Sequence, residues 1–216
     1  MAAGFVAICL WVLGWIVVPA ACYVLGGLST GMWVSSRLKG LDIRQFGSGS
    51  SGATNVLRTL GRGPGLTVFI GDLVKGVAAA LVGRLLGGPW LACLCGFLAV
   101  AGNIWPVTAQ FKGGKGVSTA AGVFLVLAPW QALLAIVVAF VVIYWTRFVS
   151  LGSMAGLVGY WLAAGVTGLF GGRAHLFWVA LGVNALVFYA HRHNIRRLLD
   201  GNENKLDLAI LTGKKG

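Results

Sequence analysis

Three polar islands interrupt an otherwise apolar chain of 216 residues, and the residue types in each suit the handling of phosphate. The first, FGSGSSGATNVLRTLG, runs from Phe46 to Gly61. Its glycines, Gly47 and Gly49 among them, let the backbone curve until several N–H groups point into one concavity, an arrangement that favours an oxyanion. Ser48, Ser50, Ser51 and Thr54 add hydroxyls, Asn55 adds an amide, and Arg58 offers a fixed-charge fork that can grip phosphate through two parallel bonds. The competing reading is a cytoplasmic loop whose arginines hold it to anionic lipid. Gly47, Gly49 and Gly52 also spell a literal G-x-G-x-x-G with Asp72 downstream. No strand is expected before it and Asp72 falls in an apolar run, so this dinucleotide fingerprint is read as coincidence.

The second island centres on Phe111 to Val117, where Lys112 and Lys115 bracket Gly113 and Gly114, and Gly116 opens an apolar helix. Backbone N–H groups, a helix N-terminus and ammonium charge can converge there on one anion. It is not a Walker A loop, because Lys115 is followed by glycine and no strand is expected before it. A basic turn at headgroup level is the alternative. The third island, HRHNIRRLLDGNENKL, spans His191 to Leu206. Helical spacing puts His191 and Asn194 on one face, where the histidine can transfer a proton or orient a substrate near neutral pH. A basic helix end that snorkels to the interface competes with that role. His175 and His193 lack such company and are read as surface residues. In the turn from Thr146 to Met154, Ser153 either reaches a site or bonds back to its own helix.

The elements that must position these groups are membrane helices. The chain is 58% hydrophobic with mean hydropathy +0.87, far above a soluble composition. Seven apolar segments are expected at Phe5–Val34, Leu66–Leu86, Trp90–Ala109, Val117–Ala128, Trp130–Trp145, Leu151–Phe170 and His175–Ala190. The first is long enough to tilt or to break at Gly26 and Gly27. The fourth is too short to span unaided and suits a half-helix stopped by Pro129. The first run lacks a basic leading region and continues too far for a cleaved signal peptide, so it is expected to remain as a span.

Lys and Arg number 17 against 5 acidic residues, a net charge of +12. With the amino terminus outside and seven crossings, all the basic residues except Lys75, Arg84 and Arg173 fall on one side, including those of the tail from Arg192 to Lys215. The positive-inside rule makes that side cytoplasmic. The excess is assigned to anionic headgroups and substrates, with no nucleic-acid partner expected. Asp72 and Lys75, three residues apart in an apolar helix, are expected to pair and hold helices together. Cys9, Cys22, Cys93 and Cys95 show no zinc spacing and read as small buried hydrophobes, with no metal expected. Gly152, Gly156 and Gly159 are expected to pack helices, and Trp11, Trp33, Trp90, Trp105, Trp130 and Trp145 to anchor at the interfaces.

Taken together, GSGSSGATNVLR (47–58), FKGGKGVST (111–119) and HRHNIRRLLDGNE (191–203) occur in the order and spacing of the bacterial acyl-phosphate:glycerol-3-phosphate acyltransferase family of the PlsY type, which the chain resembles from about Tyr23 to Glu203. GLDIR, DLVKG and TRFVSLGS support the match. The resemblance implies a single membrane-embedded domain over residues 1–216, of all-α polytopic fold. It has about seven transmembrane or half-membrane helices, the amino terminus outside and the carboxyl terminus cytoplasmic. The motif loops lie at about 35–63, 110–117 and 191–206. It further implies acyl transfer from acyl phosphate to the 1-hydroxyl of glycerol 3-phosphate at the cytoplasmic face of the bacterial inner membrane, yielding lysophosphatidic acid. By position, Ser48, Arg58, His191 and Asn194 become catalytic. Gly113, Gly114, Gly116, Lys115 and Ser153 join the substrate site, and Glu203 is structural. Two departures stand out. Ser50 replaces the usual Asn, and Gly102-Asn103 replaces the usual Gly-His, so that no proton is available there at neutral pH.

Acyl phosphate is already activated, so neither a cofactor nor a covalent acyl-enzyme is expected. Positioning and neutralisation of phosphate charge do the work. A monomer suffices for this scheme. A transporter of organic phosphates would also want cationic, glycine-rich sites, but near mid-membrane and open to both faces. A CDP-alcohol phosphotransferase would need a cluster of aspartates that Asp72 lacks.

Overall fold

The computed structural model describes residues 2–207, with side chains from residue 12 onward except at position 169. Lys214 and Lys215 of the basic tail, and the side chains of Cys9 and Trp11, lie outside the described residues. The described residues are predominantly helical. Its helices are α1 (Ala2–Gly26), α2 (Thr30–Lys39), α3 (Ala53–Leu60), α4 (Arg62–Ile104), α5 (Val117–Leu127), α6 (Pro129–Thr146), α7 (Val149–Phe170), α8 (Ala174–Ala190) and α9 (Arg192–Leu199). No strand occurs among the described residues.

The first apolar segment breaks after Gly26, the second of its two expected forms, and the break is held by charge. Lys75 Nζ donates to the carbonyls of Gly26 (3.3 Å) and Leu28 (2.7 Å), which the end of α1 leaves without helical partners. Asp72 Oδ1 lies 2.6 Å from that ammonium and accepts from Thr30 Oγ1 at 2.9 Å. Both charged residues are buried, so the pair clamps α1 and α2 onto α4, as its spacing suggests.

α4 is a hairpin rather than a rod. Gly88, with φ 74° and ψ −161°, reverses the chain, and Gly83 of the first arm abuts Ala92 of the second. Cys22 of α1 packs against both arms, with Ala79 on one and Cys95 and Ala99 on the other. The second arm ends at Ile104, earlier than its apolar run, because Pro106 pushes Trp105 out of the helical region. α5, only 11 residues long, fits the expected half-helix, and α6 begins directly at Pro129.

The core joins α4, α5, α7 and α8 through Val100, Val123, Tyr160 and Val183, each wholly buried, with Phe124 stacked on Tyr160. α6 and α7 meet through small residues: a Cβ on Gly152 would stand 2.6 Å from the Ala139 carbonyl oxygen. Gly156 is as close to Ala135, whereas Gly159 packs loosely on Val138. Cys22, Cys93 and Cys95 are free and buried. Trp33, Trp90, Trp130 and Trp145 stand exposed near helix ends, as interfacial anchors do. His175 departs from its expected surface role: it is half-buried, edge-on to Trp90.

Four helical stretches among the described residues are long and apolar enough to cross a membrane, and the bent pair α8–α9 makes five. The longest contains the α4 hairpin, whose two arms run antiparallel. The chain is a multi-pass membrane protein.

Candidate active site

Antiparallel packing brings the loop before α3, the loop before α5, the start of α7 and the α8–α9 junction to one end of the bundle. The first loop is organised from within by Asn55, which is 2% exposed. Its Nδ2 donates to the carbonyls of Ile43, Phe46 and Ser50, and its Oδ1 accepts the Ser48 N–H at 2.9 Å. The amide expected to touch substrate is thus turned into the loop, where it shapes the curve that Gly47 and Gly49 allow. Ser51 N–H donates to the Gly113 carbonyl at 3.3 Å, and Arg44 Nη1 to that of Ala109 at 2.8 Å, so the first and second loops are tied to each other. Gly52, at the head of α3, lies against Gly114.

The second loop ends at Gly116, whose φ of 77° is left-handed and whose neighbours Val100 and Ile104 leave no room for a Cβ. α5 starts there, with its first-turn N–H groups unpaired by helix geometry. The backbone N–H of Lys115 has no hydrogen-bond partner among the described residues. Its Nζ donates to Asn194 Oδ1 at 2.6 Å. Burial, with Arg197 and Arg58 nearby, outweighs the attraction of Glu203 and brings the Lys115 ammonium down to about 8.

The third island folds at a 63° bend between α8 and α9, with His191 at the vertex and 2% exposed. His191 Nδ1 lies 2.8 Å from the Val187 carbonyl oxygen. A carbonyl only accepts, so Nδ1 carries the proton and Nε2 keeps its lone pair. Burial and the neighbouring Lys115 charge lower this imidazole to about 4, so it is neutral at physiological pH. Asn194 passes the connection on: its Nδ2 donates to Glu203 Oε1 at 2.6 Å. Ser150 Oγ donates to the same oxygen at 2.8 Å, and Arg197 Nε to Oε2 at 2.8 Å. Burial pushes the Glu203 carboxyl up, but the bonds from Asn194, Ser150 and Arg197 more than offset it and hold the group below the usual glutamate range. Arg58 Nη2 donates to the Asn204 carbonyl at 3.0 Å, and Leu206 N–H to that of Arg147 at 2.7 Å. The tail therefore straps the site from α3 to the α6–α7 turn.

Arg58, Lys115, His191 and Asn194 are gathered around the Glu203 carboxylate. Ser48, Thr54 and Ser153 are half-buried, and their hydroxyls have no hydrogen-bond partner among the described residues. Ser153 lies one turn from Ser150 on the same helix face. Lys112 is exposed and joins no contact in the network. Ser150 and Arg197 were not among the expected site residues. Helical spacing from Ser153 and Asn194, three residues in each case, was the available signal. The cationic groups outnumber the single carboxylate, so the site attracts anions.

The description of the glycerol-3-phosphate acyltransferase family matches residues 16–201. A glycerol-3-phosphate acyltransferase of Halalkalibacterium halodurans is 43% identical over 198 residues, covering 90% of this chain and 96% of that protein. One of Clostridioides difficile is 42% identical over 207 residues, with 90% and 97% covered. The crystal structure of PlsY, an integral membrane glycerol 3-phosphate acyltransferase, in its glycerol 3-phosphate form superposes with TM-score 0.85 at 35% identity, covering 93% of this chain and 100% of that one. Its lysophosphatidic acid form gives 0.82 at 36% identity, with 92% and 99% covered. With matches of this length and identity, the chain belongs to the glycerol-3-phosphate acyltransferase family.

Proposed function

We propose that the chain transfers a fatty acyl group from acyl phosphate to the 1-hydroxyl of glycerol 3-phosphate, at the cytoplasmic face of a bacterial inner membrane. The observation that carries this reading is the Lys115–Asn194–Glu203 chain of hydrogen bonds together with the Arg58 bond to the Asn204 carbonyl, which draw the cations of three separate motifs to one end of the bundle. The hydroxyl oxygen attacks the acyl carbon, the bond from that carbon to the bridging anhydride oxygen breaks, inorganic phosphate leaves with that oxygen, and the hydroxyl proton passes to a base. Neutral His191 keeps Nε2 free to accept that proton, as a weak base whose imidazole is lowered to about 4, and a substrate phosphate oxygen is the other acceptor at hand.

Arg58 and Lys115 neutralise phosphate, and the glycine loops, with Gly47, Gly49, Gly113, Gly114 and Gly116, supply curvature and backbone donors. Ser48, Thr54, Ser153 and Asn194 orient the reactants, Lys112 draws anions from the surface, and Asn55 and Glu203 hold the loops in shape. Holding two anions together in the reactive alignment is worth about 7 to 11 kcal/mol in favourable systems, enough to dominate a step with so good a leaving group. Counting the α4 arms separately and α1–α2 as one broken segment gives seven apolar elements, with the amino terminus outside and the site cytoplasmic.

The test is acyl transfer by the purified protein from palmitoyl phosphate to radiolabelled glycerol 3-phosphate, with palmitoyl-CoA and palmitoyl carrier protein as parallel donors. Product from the phosphate donor alone, lost in Arg58→Ala, is expected. Transfer from the thioesters but not the phosphate would refute the donor assignment. His191→Gln is expected to cut kcat severely with little change in KM, and near-normal turnover would remove His191 as the base.

A further inference from the structure

Asn103 belongs to the last turn of α4, is 7% exposed, and has two oxygen atoms engaged by the second glycine loop. Its backbone oxygen accepts the Gly114 N–H at 2.9 Å, and its Oδ1 accepts the Gly116 N–H at 3.2 Å. The Ile104 carbonyl takes the Gly113 N–H at 3.2 Å. Of the run from Gly113 to Gly116, only Lys115 is left untied to α4 by its backbone N–H among the described residues. The loop is drawn so close that a Cβ on Gly114 would stand 2.8 Å from Asn103 Oδ1.

Gly116 is the left-handed pivot from which α5 departs, and the residue before it carries the ammonium that meets Asn194 at 2.6 Å. Among the described residues, the Asn103 side chain is the only one that bonds to this pivot's N–H. Without Oδ1 the pivot is released, and the direction in which Lys115 leaves the loop is no longer set. We infer that Asn103 is a positioning residue for glycerol 3-phosphate binding: through Gly116 it aims Lys115 at the phosphate. An amide oxygen suits the task because it stays an acceptor at every physiological pH. This rests on the reading of Lys115 as a phosphate ligand.

The experiment compares Asn103→Leu, Asn103→His and Lys115→Ala by steady-state titration of glycerol 3-phosphate across pH, using full-length protein in detergent. Leucine keeps the size and removes the acceptor. Losing one such bond to a charged group's support is expected to raise KM about tenfold while kcat changes less than about threefold. Freed of its confined setting, Lys115 regains a more ordinary basicity, so the alkaline fall in kcat/KM moves to higher pH. Neutral histidine places ring Nδ1 where Oδ1 stood, so at pH 8 Asn103→His keeps KM within about threefold of the parent. A role in folding alone would depress kcat and KM behaviour alike in both variants and leave the alkaline limb in place. An unchanged KM and limb in folded Asn103→Leu would overturn the inference. If Asn103→Leu does not fold, a tenfold rise in KM for folded Asn103→His at pH 8 would do the same. Lys115→Ala separates the layers: if it leaves KM unchanged, the phosphate-ligand reading fails; if it raises KM while Asn103→Leu does not, only the assignment of Asn103 fails.

Discussion

Replacing Glu203 with glutamine removes one negative charge from the centre of the site while keeping an acceptor for Ser150 and Asn194. Lys115 feels the loss most directly. Two hydrogen bonds of 2.6 Å bracket the Asn194 amide, which places Lys115 Nζ within roughly 7 Å of Glu203 Oε1, where one charge pair is worth about 2 kcal/mol at an effective dielectric of about 20. Solvent screening at this half-buried lysine reduces that to about 1.4 kcal/mol, or about one pH unit. Lys115 already sits at about 8 because burial, Arg197 and Arg58 oppose its charge, and Glu203 is the group pulling the other way. Removing that pull lowers the lysine further, so in Glu203→Gln the alkaline fall of kcat/KM for glycerol 3-phosphate moves to lower pH.

The assay is kcat/KM from pH 6 to 9.5, which follows the free enzyme's titration. With the parent half-protonated near pH 8 and the variant titrating about one pH unit lower, the two differ by about fivefold at pH 8 and hardly at all at pH 6. Arg197 loses its partner as well, but at 32% side-chain exposure it is rehydrated, and that term affects stability by about 1 kcal/mol without a pH dependence in this range. An equal drop at every pH, or an unmoved alkaline limb, would refute the coupling.

Asn55→Ala strips the first loop of its internal scaffold and leaves the Ser48 N–H and three carbonyls to find new partners, a cost of about 2 to 4 kcal/mol that thermal unfolding in detergent should register alongside lost activity. Asp72→Leu leaves Lys75 buried and unpaired and should destabilise by about 3 to 5 kcal/mol, whereas the double change Asp72→Leu with Lys75→Met should recover most of that; no recovery would mean that the pair does more than hold α1 and α2. The His191 imidazole, followed by NMR of labelled protein, should stay neutral through pH 6 and take up its proton only near 4, and a midpoint near 6.5 would contradict the burial and Lys115 repulsion seen here.

The three islands were legible because polar and basic residues stand out against so apolar a chain, and the helix ends were legible where Gly and Pro interrupt it, as at Gly87–Pro89 and Ala128–Pro129. The Asp72–Lys75 pair followed from helical spacing alone. What pattern could not reveal was the direction of a side chain within a loop. Asn55 and Asn103 read as polar residues beside a site, yet both turn their amides onto neighbouring backbone, and only the tertiary approach of α3 and α4 to the glycine loops decides that. Glu203 is a similar case. Its charge is plain in the sequence, but Ser150, 53 residues earlier, becomes its partner only because α7 packs beside α8.

The strap formed by the tail also carries a consequence for biosynthesis. Glu203 and Asn204 follow α8 and α9, so they are synthesised after every other residue of the site. Until this segment folds back, Arg58 and Asn194 lack the partners that fix them, whatever the state of the helices before it. The site is therefore locked only once the segment after α9 has folded back onto α3 and α7.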